Sequence, residues 1–159
     1  VTVRRSDHSE DDLRLAHEIE EEAFTEHYGH VWRSFDRFRE RFFEHSDTWC
    51  ALWLAYLDET PVGLLVSNQQ FVEDENAGYI RSLGVIRAGR GRGVAKALLR
   101  QHFAASQAEG RVAVLLHVDV PNVTNALGVY ESVGMRPILE IDAWTKTADV
   151  SFVDSDTPL

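Results

Sequence analysis

Hydrophobic positions along the chain switch between a period of two and a period of 3.6 residues, and the switches mark its elements. Residues 2–5, TVRR, read as a short strand. Leu13, Ala16, Ile19 and Ala23 recur at helical spacing. Ser9 stands where an N-cap belongs and Asp12, three residues on, completes a capping box, so the spacing predicts a helix to about Phe24. The stretch 25–33 reads as a loop. Ser34 is placed to cap a second helix with Phe35, Phe38 and Phe42 on one face. Residues 50–57 and 61–68 read as strands joined by Asp58-Glu59-Thr60 in a short hairpin. A polar loop, 72–76, leads to a third strand over 77–86. Residues 92–107 are predicted helical, with Val94, Ala97, Leu98 and Ala105 inward. The run 113–118 is apolar on both faces and predicts a central strand. Residues 124–133 form a last helix, closed by Gly134 in the left-handed position that follows helices. Residues 135–146 read as a final strand, and an acidic tail follows from Ala148.

This β-α-α-β-β-β-α-β-α-β order predicts an α/β (mixed α+β) fold, a mixed sheet with helices on both faces. The 159 residues fit one domain over 1–147, with 148–159 as a poorly structured tail. No apolar run reaches the ~18 residues of a membrane span. The opening VTVRRSDHSEDD lacks the apolar stretch of a secretory signal. The expectation is a cytoplasmic protein, monomer or homodimer, without a membrane partner. The single cysteine, Cys50, forms no internal disulfide and no Cys-rich metal site; no metal is expected. The net charge of −10 argues against gripping nucleic-acid phosphates.

The charge is unevenly spread. Residues 1–76 hold 18 acidic and 7 basic side chains, whereas 77–108 hold six basic ones and no acidic one. A locally positive segment in an acidic chain points to an anion site, although charge runs are commonly just solvated. The same segment contains RAGRGRGVAKALLR (87–100), which follows a predicted strand and opens a predicted helix. Gly89, Gly91 and Gly93 let the backbone bend tightly and bring its N–H groups close to a ligand. The helix start adds unpaired N–H groups and the positive end of the dipole. The string is not a Walker loop, since no Gly-Lys-Ser/Thr follows, and it comes too late in the chain for a dinucleotide fold.

Strand, Arg90-x-x-Gly93-x-Ala95, then helix resembles the acetyl-CoA signature of the GNAT superfamily of N-acetyltransferases, Arg/Gln-x-x-Gly-x-Gly/Ala. HVDVPNVTNALGVYESVGMRP (117–137) resembles the second GNAT signature, an Asn before a helix bearing a Tyr-Glu pair and ending at Gly-Phe or Gly-Met. AFTEHYGHVWRSF (23–35) looks like the actinobacterial mycothiol-synthase-like branch. The resemblance implies a mostly antiparallel sheet whose central strands splay apart, and acetyl-CoA as cosubstrate. Its pyrophosphate would lie on the amides of Arg90, Gly91, Arg92, Gly93, Val94 and Ala95. The thioester carbonyl would face backbone N–H near Leu83, Gly84 and Val85, with Asn122 or Asn125 near the pantetheine arm. The implied reaction is transfer of acetyl to a primary amine of a small molecule or peptide, by direct attack through a tetrahedral intermediate. That suits a sequence without a Ser-His-Asp arrangement or a nucleophilic cysteine. The alternative within the same fold is a noncatalytic CoA-binding or regulatory domain.

Tyr130 matches the family's general acid. A phenol of pKa ~10 is protonated at neutral pH and can donate to the leaving thiolate; the same residue also shares a helical face with Ala126 and Val133 and reads equally as core. The base departs from the pattern. Where the resembling string has Glu, GYIRSLGV (78–85) has Tyr79, and no carboxylate occurs between Asn76 and Glu109. His27 is the candidate base, with His30 or a water chain as alternatives. His117, within an apolar strand, reads as a satisfied core residue. Trp32, Phe35, Phe38, Phe42, Trp49 and Trp53 read as core, and some, with Tyr28, would line the acceptor site.

Overall fold

The computed structural model describes residues 1–25, 31–44, 50–118 and 123–140, without the side chains of 123–125. The elements follow as β1 (Thr2–Arg5), α1 (Glu10–Phe24), α2 (Phe35–Arg39), a π-helical turn (Glu40–Glu44), β2 (Ala51–Leu57), β3 (Thr60–Phe71), α3 (Val72–Glu75), β4 (Ala77–Val85), a 3₁₀ turn (Arg87–Gly89), α4 (Val94–Ala108), β5 (Ala113–Leu116) and α5 (Val123–Ser132). The sheet order is β1-β2-β3-β4-β5; the first three pairings are antiparallel and β4–β5 is parallel.

Local chemistry explains most boundaries. The Ser9 hydroxyl accepts the Asp12 N–H at 3.4 Å, as the sequence predicts. The reciprocal half of the capping box is absent. The Ser9 N–H donates to Asp7 Oδ1, while the Asp12 carboxylate takes both Nη atoms of Arg4. Asp12 thereby ties β1 to α1, and Arg4 holds its carboxyl below the usual range. The predicted second helix is α2 followed by a wider π turn, which still stacks buried Phe38 and Phe42 with centroids 5.2 Å apart. Trp32 is 69% exposed, so it does not belong to the core; Trp49 lies outside the described residues. The β2–β3 hairpin turns on Asp58 and Glu59 alone, both with positive φ as a type I′ turn requires, and Thr60 is already in the strand. The predicted loop 72–76 contains the single turn α3, closed by Asn76 at φ 48°.

Two apolar layers enclose the sheet. Leu52, Leu54, Leu64 and Val66 face Leu13, Ala16, Ile19, Phe38 and Phe42 from α1, α2 and the π turn. Trp53, Ala55, Val62, Leu65 and Ile80 face Val94, Leu98 and Leu99 of α4, with Tyr130 packed against this layer. Strand β2 therefore reads as an unbroken apolar run because both of its faces are covered.

Among the described residues β5 stands last in the sheet order, and its four residues are exposed or half-buried. Residues 135–140 form no strand. After α5, Gly134 adopts φ 88° and the Met135 N–H returns to the Tyr130 carbonyl, so the chain leaves the helix in a Schellman turn. Residues 141–146 and the 148–159 tail lie outside the described residues.

Candidate active site

Strand β4 carries the candidate residues Tyr79, Leu83, Gly84 and Val85. It pairs with β3 along its length, but its pairing with β5 covers only Ala77↔Ala113 to Ile80↔Leu116. The register with β3 slips between Val66 and Ser67, leaving Arg81 as an extra residue, a β-bulge. The bulge changes which side chains face which layer. Before it, Gly78 and Ile80 face α4 and Tyr79 faces the α1 side. Beyond it, Leu83 and Val85 join the α4 layer, while Ser82 and Gly84 face α1.

The backbone follows a matching alternation. The Ile86 N–H donates to Val62 O on β3. Backbone groups of alternate residues point the same way along an antiparallel strand, so Gly84 and Ser82 also face β3. Leu83 and Val85 therefore point away from β3, beyond the last β5 pair. Among the described residues their N–H groups have no strand partner, and they form a donor row at the end of the sheet. Of the three residues expected near the thioester carbonyl, Leu83 and Val85 direct their N–H groups outward and Gly84 directs its amide towards β3. Gly84 has a different role: a Cβ there would stand 3.1 Å from Ala23 Cβ, so its small size lets α1 approach the strand.

The glycine turn follows at once. Gly91 and Gly93 have φ 71° and 79°, and a Cβ on either would meet nothing within 4 Å. Their glycines are thus required by backbone conformation rather than by packing, and the surface above them is open. Gly93 is the N-cap of the 15-residue α4 and provides no side-chain cap, and the first turn carries no acidic residue. The first α4 N–H groups, beginning at Val94, Ala95 and Lys96, keep their donor capacity for an anion. Gly89 differs: it is buried, and its Cβ would lie 2.9 Å from Val62 and Val85. Arg90 is exposed, and its guanidinium lies back along the surface, donating to Val85 O and Ala23 O. It thereby clamps the turn to β4 and supplies a cation to the C-terminus of α1, whose last turn has no basic residue. Arg92 is exposed beside the turn, and the Val94 side chain packs on Gly63, so Val94 serves through its backbone.

Tyr130, on α5, is half-buried against the α4 layer, and burial raises its hydroxyl above the ordinary phenol value. It therefore stays protonated at neutral pH. Asn125 lies in the first turns of α5, its side chain outside the description; His27, Tyr28, His30 and Asn122 also lie outside the described residues.

The α1 side of β4 holds polar groups that the sequence pattern did not bring together. Ser82 Oγ donates to Glu20 Oε2 at 2.7 Å. Glu20 is buried, and burial raises its carboxyl despite Arg41 and Arg33. Arg81 donates to the Arg41 carbonyl and lies over the Phe42 ring, as Arg41 itself does. The Tyr79 hydroxyl is 2.8 Å from His117 Nδ1. His117 is exposed, so its reading as a core residue is corrected. Glu20 had a sequence signal: it falls on the apolar stripe of Ala16, Ile19 and Ala23. The Tyr79–His117 pair had none, because its members are 38 residues apart.

No group of three His, Cys, Asp or Glu side chains among the described residues is placed to hold a metal. Nor is any described helix long and apolar enough to cross a membrane.

The model of the Acetyltransferase (GNAT) family matches residues 13–135. A search by sequence found no match among curated proteins. Among solved structures, the chain is similar to the aminoglycoside antibiotic 6'-N-acetyltransferase AAC(6')-IG from Acinetobacter haemolyticus, with TM-score 0.70 and 18% identity over 94% of this chain and 100% of that one. It is similar to an aminoglycoside acetyltransferase from an uncultured soil metagenomic sample in complex with sisomicin, with TM-score 0.68 and 18% identity over 93% and 96% of the chains. A transcriptional regulator from Bacillus halodurans C-125 gives TM-score 0.69 and 19% identity over 92% and 99%. At these identities the structures establish a shared fold.

Proposed function

Because the chain belongs to the GNAT family of acetyltransferases, acetyl-CoA-dependent N-acetyl transfer is its reaction, and we propose how its residues carry it. The carrying observation is the adjacency of two sets of backbone donors: Leu83 and Val85 N–H at the end of β4, and the first α4 amides beyond Gly93. The first set suits a thioester oxygen that gains charge in the tetrahedral state, the type of electrostatic stabilisation that dominates acyl transfer. The second suits a pyrophosphate. Tyr130 donates the proton to the departing thiolate. The acceptor is a primary amine of a small cationic molecule. Support for that choice comes from the chain's net charge of −10 and from the aminoglycoside acetyltransferases that share its fold.

The test pairs binding with turnover. Wild-type protein mixed with acetyl-CoA and a panel of sisomicin, spermidine, n-butylamine and short peptides should release free thiol with at least one cationic small amine. Gly93→Val, which forces a β-branched residue to positive φ, should weaken CoA binding at least ~100-fold in calorimetry while the protein stays folded. CoA binding without thiol release from any amine identifies a noncatalytic CoA-binding domain instead. Unchanged CoA affinity in folded Gly93→Val removes the glycine turn from the site.

A further inference from the structure

The position where the resembling pattern has a Glu base holds a phenol here. A tyrosine hydroxyl near its ordinary pKa of ~10 is too weak a base to take a proton unaided at neutral pH. Burial raises Tyr79 further, only partly offset by Arg81. Tyr79 does not act alone, however. Its hydroxyl is 2.8 Å from His117 Nδ1, and its ring packs edge-on against Phe71, centroids 5.2 Å apart at 89°. Phe71 fixes the phenol, and the phenol fixes the imidazole. His117 follows β5 directly and is exposed, so its other nitrogen can exchange protons with water.

The pair also stands in the right place. Tyr79 precedes the last β4–β5 pair by one residue and faces the α1 side. Leu83, the first outward donor, lies four residues along β4, about 13 Å at the usual rise. The phenol, an acceptor amine and one ordered water span that distance. The charged groups facing this region are Arg81 on β4, Arg41 on the π turn and Glu20 on α1, the last bound by Ser82. Glu20 points to Ser82 beyond the bulge rather than to Tyr79.

We propose that Tyr79 and His117 form a proton relay that deprotonates the acceptor amine, replacing the carboxylate base. The proposal rests on the acetyl-transfer reading above. The neutral imidazole carries its proton on Nε2 and accepts the Tyr79 hydroxyl at Nδ1. An amine arriving as ammonium gives a proton through one ordered water to Tyr79 Oη as the phenol's own proton passes to Nδ1. The imidazolium releases its Nε2 proton to solvent, and exchange with water at the exposed ring returns the neutral Nε2–H tautomer, with the Tyr79 hydroxyl again donating to Nδ1. The amine nitrogen then bonds to the thioester carbon, and the carbonyl π electrons move to oxygen. The nitrogen's extra proton leaves by the same relay as the C–S bond breaks, and the thiolate takes the proton of Tyr130, which solvent restores. Tyr79 is the catalytic residue; His117 positions its proton and receives it.

The test is turnover of acetyl-CoA with sisomicin, spermidine and n-butylamine across pH, in wild type, Tyr79→Phe, His117→Gln, the double variant and His27→Ala. Each single change in the pair should lower kcat about 10²-fold with CoA affinity within twofold. The double variant should lose no more than the worse single one, because the two act as a unit. The wild-type fall of kcat/KM on the acid side should disappear in His117→Gln. Near-wild-type turnover of Tyr79→Phe, or a large loss confined to His27→Ala, overturns the relay. Nitrogen-correlated NMR of His117 needs no acceptor. The Nε2–H tautomer, lost as a single form in Tyr79→Phe, supports the relay; Nδ1–H overturns it. Absence of thiol release with every amine in wild type refutes the acetyl-transfer reading instead, and the tautomer then judges the pair separately.

Discussion

The two faces of the sheet are built by different means. The α4 face is a continuous apolar layer with the proposed ligand chemistry at one end, in the turn from Arg87 to Gly93 and the first turn of α4. The backbone donors of that end lie within a few consecutive residues. The α1 face is apolar over β2 and β3, but over β4 it gathers Glu20, Arg41, Tyr79, Ser82 and His117 from four separate segments. A backbone cradle for a phosphate can be local, because amides are supplied by every residue and only conformation must be arranged. A proton-handling or amine-recognising site needs particular side chains, and those come together only through the fold.

The sharpest way to break this comparison is at Tyr130, which packs on the α4 face yet is assigned a chemical task. Tyr130→Phe keeps the ring and removes the donor. Turnover should fall at least ~10²-fold with CoA affinity nearly unchanged. Equal turnover, measured where chemistry limits the rate, would make the α4 face purely a packing and binding surface.

The next effect lies on the same face, midway along α4. His102 is buried near Trp53, Gly78 and Ser106, with its Nε2 a long 3.5 Å from Ser106 Oγ. Its Nδ1 has no partner among the described residues. Burial pushes it down from 6.5 to about 4. The folded protein therefore keeps His102 neutral while the unfolded chain protonates it between those values. Stability from this group is complete above pH 6.5 and is lost as pH falls towards 4, at most on the order of 3 kcal/mol. Urea unfolding at pH 7 and pH 4.5 should show a steeper loss in wild type than in His102→Gln. Equal losses would mean that the ring charges without cost.

The smallest effect is expected at Glu20, on the α1 face. Its carboxyl is raised mainly by burial, so the folded state holds a proton that the unfolded chain has released. Its contribution to stability is present at low pH and declines as pH rises through the raised value. Glu20→Gln copies the protonated form. It should be as stable as wild type in mild acid, more stable at pH 8, and reduced in turnover by less than about 10-fold. A loss near 10³-fold with folding and CoA binding intact would make Glu20 the base and remove the asymmetry between the two faces.

Element order was legible because each apolar stripe has its own period, and because caps such as Ser9 and Ser34 act within three residues. The glycine turn was legible for the same reason. Gly91 and Gly93 need positive φ, a property of the residue itself. The signature could not separate their role from that of Gly89, which is small because Val62 and Val85 stand against it. That distinction depends on contacts made by residues 27 and four positions away. The hairpin length was misjudged by one residue because Asp58 and Glu59 accept left-handed conformations without glycine, a cost that strand pairing on both sides offsets.

Composition and local pattern by themselves determined a mixed fold, a glycine turn at a helix start, and the absence of a carboxylate from β4. Only tertiary structure decided which side chains stand together on that strand. The bulge at Arg81 sends Leu83 and Val85 outward and Ser82 inward, and no pattern of residue types announces a one-residue slip in register. Parallel pairing of β4 with β5, separated by the whole of α4, brings Tyr79 beside His117. Sequence carries conformational preference residue by residue, whereas the meeting of two side chains 38 residues apart is a property of the packed sheet.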